Sequence, residues 1–167
     1  QFFDSIQRSL AAGERILEVL DTVPAIQDPE QPQQITEILG RVEFDNVSFC
    51  YATGEEVLHE VNVVANPGER IALVGRSGAG KTSFINLIPR FYDALSGSVR
   101  IDGIDVREVQ QTELRKHIAL VLQDTFLFNG TVRDNLRFGK LDASDDELVE
   151  AARAANAHEY IERLPNG

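Results

Sequence analysis

Apolar residues fall at helical spacing along the first twenty positions, where Phe2, Phe3, Ile6, Leu10, Ile16, Leu17 and Leu20 form one stripe. The pattern predicts an amphipathic helix over 1–20, with a face that needs a covering partner. Pro24, Pro29 and Pro32, set among Gln and acidic residues, suit neither a helix nor a central strand. Residues 21–40 therefore read as a linker, and the compact domain is expected over 41–167. Within it Val42 and Phe44 alternate, and then Val47, Phe49 and Tyr51 alternate on the opposite parity, which predicts two strand segments or a bulge between them.

Val61, Val63 and Ala65 continue the strand pattern up to the turn signal Asn66-Pro67-Gly68. Ile71 to Val74 and Ile118 to Leu122 are unbroken apolar runs, expected to be strands buried on both faces. Phe84, Ile85 and Ile88 recur at helical spacing up to Pro89, and Val99 and Ile101 mark another short strand before an Asp102-Gly103 turn. Helices are expected to dominate afterwards. Thr131 with Asp134, and Ser144 with Glu147, have the spacing of capping boxes, and Pro165 should end the last helix. The order is that of an α/β domain.

Charge narrows the partners. A formal charge of −11 would repel a phosphodiester backbone, and no cluster of Lys and Arg interrupts it, so nucleic acid is not an expected partner. A mononucleotide stays compatible, because one loop of amides and one lysine can hold its phosphates whatever the overall charge. Cys50 is the single cysteine, which excludes an internal disulfide and fits a small buried residue in a reducing compartment. Met is absent, including at position 1, so the chain is read as a piece of a longer one.

Between the apolar run Ile71 to Val74 and the expected helix lies Gly75-Arg76-Ser77-Gly78-Ala79-Gly80-Lys81-Thr82, which fits G-x-x-x-x-G-K-[ST] at every fixed position. A chance match in a chain of this length has odds on the order of one percent or less. The glycines let backbone N–H groups turn inward, and the helix that follows points its positive end at the same spot. The loop Gly75, Ser77, Gly78, Ala79, Gly80 and Lys81 is thus expected to hold a nucleotide's phosphates. Lys81 would reach the β- and γ-phosphates, the Thr82 hydroxyl would coordinate Mg2+, and Ser83 is placed to donate to the α-phosphate.

The loop alone does not separate a transport ATPase from a kinase, a GTPase or a motor. Tyr51, taken by itself, reads as a half-buried strand tyrosine or as a platform on which a base stacks. Gln123 follows the second apolar run, where its amide would face a ligand beyond the strand end or merely terminate the strand. Asp124 follows the same run and is the alternative magnesium ligand, as in an independent phosphate-loop kinase or ATPase.

Several short stretches agree on one family. Val47-Ser48-Phe49-Cys50-Tyr51, Asn66-Pro67-Gly68-Glu69-Arg70, Pro89-Arg90-Phe91-Tyr92-Asp93, Ile101-Asp102-Gly103 and the segment Leu127 to Leu136, together with the phosphate loop, resemble the ATP-binding domain of exporter-type ABC transporters. The resemblance covers nearly all of 41–167, and less specifically the helix and linker that lead out of a transmembrane domain. It implies a phosphate-loop NTPase core with an N-terminal antiparallel β subdomain and the beginning of a helical subdomain. It also implies that Tyr51 stacks on adenine, and that Gln123 contacts magnesium and the attacking water. ATP and Mg2+ are the implied ligands.

The partners implied are a transmembrane domain of the same protein and a second ATP-binding domain, head to tail. The implied place is the cytoplasmic face of a membrane, the bacterial inner membrane. The L-S-G-G-Q signature does not occur in the 167 residues. The family's Walker B pair and switch histidine are also unmatched, which the resemblance attributes to truncation.

Overall fold

Phe44, Val47 and Phe49 all point into one core although they do not share a parity, and the backbone shows how. The computed structural model describes residues 13–52 and 54–165. In it β1 (Val42–Cys50) is the inner strand of an antiparallel sheet with β2 (Glu56–Ala65), β3 (Ser96–Ile101) and β4 (Ile104–Asp105), in the order β2-β1-β3-β4. Between Phe44 and Val47 β1 carries one residue more than β2 does between Val63 and Val61, so the pleat changes phase there. Asn46, at the bulge, has φ 51°. Phe44, Val47 and Phe49 are consequently all within 2% of full burial, each contributing about 1.5–3 kcal/mol of transfer free energy. The expected parity switch is this bulge.

Gly97 of β3 lies against the bulge with φ 77°, where an added Cβ would overlap the carbonyl oxygens of Asp45 and Asn46. β3 and β4 are joined by Asp102 and Gly103 (φ 51° and 87°), the two positive angles of a type I′ hairpin, with Ile101 opposite Ile104.

Helix α1 (Lys81–Leu87) packs on this sheet. Phe84 stacks on Phe44 at 3.9 Å between centroids, and Leu87 is 1% exposed. The helix therefore buries Phe84, Leu87 and Ile88, while Ile85, expected on that stripe, faces outward. After a short 3-10 turn at Val106–Glu108, helix α2 (Gln111–Lys116) adds Leu114 to the core.

The linker is more than a spacer. Gln33 pairs through its amide with the Glu108 carbonyl at 2.7 Å, and its side chain donates to the Glu108 carboxylate at 2.8 Å. Asp28 accepts the Gln111 amide at the start of α2. The Asp102 carboxylate accepts the amides of Leu39, Gly40 and Arg41. Burial opposes its charge, but those three donors more than offset this and hold its pKa below the usual carboxylate range. At the N-terminal side, residues 13–21 are helical, and Ile16, Leu17 and Leu20 are exposed. Phe2, Phe3, Ile6 and Leu10 lie outside the described residues.

The two apolar runs depart from expectation. Among the described residues neither Ile71 to Val74 nor Ile118 to Leu122 joins a strand ladder, and Val74 and Val121 are 90% and 96% exposed. A strand buried on both faces needs neighbours on each side. The one ladder described is antiparallel and includes neither run.

Residues 1–119 form one compact unit and 120–167 a second. The second contains α3 (Val132–Arg137), α4 (Asp145–Ala154) and α5 (His158–Glu162). Both expected capping boxes are present, Thr131 with Asp134 on α3 and Ser144 with Glu147 on α4. Glu147 is drawn down to about 2 by the Lys140 ammonium, with the Ser144 amide and hydroxyl adding to it. Leu148, Ala152 and Ala143 are buried, and Arg133 and Arg137 share the Asp145 carboxylate. Asn135 ties the preceding segment down by pairing with both backbone groups of Phe128. No described helix is long and apolar enough to cross a membrane.

Candidate functional site

The glycine loop leads into α1 in the first unit, and its shape follows from its residues. Gly80 is the N-cap of α1 in the left-handed region, with φ 80°. An added Cβ there would come within 2.9 Å of Leu58 Cδ2 and 3.1 Å of the Val57 carbonyl. A glycine is thus required for the backbone to turn and for the loop to lie against β2. Gly78 shares the positive φ, at 82°, but has open space around it.

One tight bond, from the Ala79 amide to the Arg76 carbonyl at 3.2 Å, closes the turn. Among the described residues the amides of Ser77, Gly78, Gly80, Lys81, Thr82 and Ser83 donate to no protein acceptor. Six N–H groups at the head of a helix form a concave set of donors for an anion. Gly75 to Ala79 are exposed, so the cradle is open to a ligand.

The Lys81 ammonium folds back over this loop and donates to the carbonyls of Gly75 at 2.8 Å and Arg76 at 2.7 Å. Its charge is held where a phosphate tail on those amides would lie. The Thr82 hydroxyl sits on the exposed side of the first helical turn. Ser83 is turned the other way and is 5% exposed. Its Oγ pairs with the Tyr51 hydroxyl at 2.8 Å.

Tyr51 is half-buried at the end of β1. Its ring meets Phe49 and Tyr92 edge to face, at 4.8 and 5.2 Å between centroids. A groove of about 580 Å³ runs alongside, with Tyr51, Tyr92, Phe91 and Arg90 in its wall. The site thus brings together Tyr51, Gly75, Ser77, Gly78, Ala79, Gly80, Lys81, Thr82 and Ser83. Gln123 and Asp124 belong to the second unit, where both are exposed in a bend.

Sequence reasoning missed Tyr92 as a neighbour of Tyr51, and it gave Ser83 a phosphate contact where the structure commits its hydroxyl to a phenol. Neither contact has a signal in spacing, since Tyr51 and Ser83 are 32 residues apart.

Comparison with known proteins agrees with this geometry. A family profile described as "ABC transporter" matches residues 58–167. The fatty acid ABC transporter ATP-binding/permease protein of Mycobacterium tuberculosis is 42% identical over 165 residues, covering 99% of this chain and 26% of that protein. The ATP-dependent lipid A-core flippase of Syntrophus aciditrophicus is 44% identical over 164 residues, covering 98% of this chain and 27% of that protein. A solved bacterial Atm1-family ABC exporter with ATP bound superposes with a TM-score of 0.86 at 37% identity, over 99% of this chain and 29% of that one. The chain therefore spans about a quarter of the length of the relatives it matches. The likeness establishes the α/β phosphate-loop fold and gives no support to an independent kinase built on Asp124.

Proposed function

Because this chain belongs to the ABC transporter family, we propose that it is the ATP-capturing part of an exporter, with the loop from Gly75 to Thr82 as the triphosphate site. The observation that carries this reading is the set of undonated amides from Ser77 to Ser83 at the head of α1, with the Lys81 ammonium beside them.

In this reading the loop amides take the phosphate oxygens. Lys81 exchanges its two carbonyl partners for the β- and γ-phosphates, which hold more negative charge than a carbonyl does. The ring of Tyr51 supplies a stacking face for the adenine, worth about 1–3 kcal/mol and indifferent to base identity. Thr82 and Gln123 are the oxygen ligands for Mg2+, whose chemistry is to offset charge on the phosphate oxygens. Among the described residues no group of three or more His, Cys, Asp or Glu is gathered in metal-binding geometry. The remaining ligands would come from the nucleotide and water. Gln123 also orients the attacking water.

The domain plan of 1–20 as a helix leaving a membrane domain, 21–40 as linker and 41–167 as ATP-binding domain belongs to the same proposal. Two relatives carry ATP-binding and permease parts, or a flippase activity, in their names. A transmembrane domain in the same protein, a second ATP-binding domain facing this one head to tail, and a place at the cytoplasmic face of the bacterial inner membrane follow from that arrangement.

Hydrolysis in this scheme needs positioning groups from both domains of the pair. The isolated 167-residue chain, with folding checked by circular dichroism, is expected to bind MgATP weakly in a calorimetric titration and to show no steady-state phosphate release. Steady turnover by the isolated chain, abolished by Lys81→Ala, would contradict the two-domain site.

A further inference from the structure

The hydroxyl of Ser83 is the one side-chain group on the first turn of α1 that is both buried and paired, and its partner comes from a different element. Tyr51 leaves the end of β1, and its phenol reaches Ser83 Oγ at 2.8 Å. The tyrosine ring is fixed on its other sides by Phe49 and by Tyr92.

Tyr92 in turn sits in a braced loop. The Arg90 guanidinium, 5% exposed, grips both oxygens of Asp93 at 2.8 and 3.2 Å. Arg115 donates to the carbonyls of Pro89 and Arg90, both at 2.9 Å. Two edge contacts restrain where the ring lies, but neither fixes its turn toward the phosphate loop; a directional bond at the phenol oxygen does. Because Ser83 is shielded from solvent, water competes poorly for that bond.

We infer that Ser83 is a positioning residue that acts through Tyr51, so that a single hydrogen bond sets the aromatic face for the base at a fixed place relative to the amides that hold the phosphates. The inference rests on the phosphate-loop reading given above. It assigns Ser83 a different task from phosphate contact through its hydroxyl. The ligand class is a nucleoside triphosphate, of which the base half depends on the Ser83 hydroxyl and the phosphate half does not. Its backbone amide stays with the loop.

The test uses the intact protein and two probes, MgATP and inorganic tripolyphosphate, the second having no base. Affinities are measured for the unaltered protein, Ser83→Ala, Tyr51→Phe and the double variant, each of which removes only an oxygen from a side chain and keeps the ring and the helix. Each single change is expected to weaken MgATP roughly five-fold, the usual effect of losing one hydrogen bond. The double variant is expected to be no weaker than either single one, because the two hydroxyls form one bond. Tripolyphosphate affinity is expected to stay within about two-fold in all variants, an estimate for groups outside its site.

Equal weakening of both probes by Ser83→Ala, independent of Tyr51→Phe, would overturn the inference and make the hydroxyl a phosphate donor. Tighter MgATP binding by either single variant would overturn it too, since the bond would then be a latch broken on binding. Lys81→Ala separates the two levels of the argument: unchanged MgATP affinity in that variant refutes the phosphate-loop reading itself.

Discussion

Lys81→Ala is expected to lower ATP turnover by the intact protein roughly 100-fold or more, the effect of removing one charge aimed at a developing phosphate charge in a water-poor site. The fold should survive. The ammonium touches only the Gly75 and Arg76 carbonyls and packs against no core residue, so the thermal midpoint should move little. Both carbonyls lie on the exposed loop, where water replaces the lost donor. A steady-state phosphate assay alongside a melting curve separates the two effects. Turnover within three-fold of the unaltered protein would show that the loop lysine does not face the reacting phosphate.

Gly97→Ala is the change expected to harm the fold most. Its φ of 77° already disfavours any side chain, and the added Cβ would meet the carbonyl oxygens of Asp45 and Asn46 at the β1 bulge. Backbone atoms in the middle of a sheet cannot swing aside as a side chain can. The expected loss is about 3–5 kcal/mol, a large part of the stability of an ordinary domain. Gly68→Ala is the matched control, since its φ is 73° but nothing lies within 4 Å of the new Cβ. That change should cost about 1–2 kcal/mol for the left-handed backbone alone. Equal unfolding midpoints for the two variants would mean that β3 does not press on the bulge.

Local pattern was enough wherever the physics is local. The parity change from Phe44 to Val47 gave away the bulge, since a pleat that swaps faces leaves a mark in sequence. Thr131 and Ser144 cap their helices as their spacing requires, because a cap involves residues only three apart. The glycine loop was legible for the same reason: strand-like run, loop and helix are consecutive in the chain.

What was not legible depends on partners far along the sequence. Ile85 and Leu87 are both apolar residues of α1, and only the position of Phe44 beneath the helix decides which of them is buried. Val74 and Val121 lie in runs fit for a central strand, yet an apolar run states only a preference for burial and not what will cover it. The proline-rich segment looked like a spacer, whereas Asp28 and Gln33 fasten it to α2 and the turn before it. Tyr51 and Ser83 are joined across 32 residues by a bond no motif records.

Amide hydrogen exchange along the chain, followed with and without MgATP, addresses the central claim directly. Phosphates seated on the loop should slow exchange at the amides from Ser77 to Ser83, which now donate to no described protein acceptor. If those amides exchange equally fast with saturating nucleotide, and protection falls elsewhere, the phosphates are not bound at the head of α1 and the account is wrong.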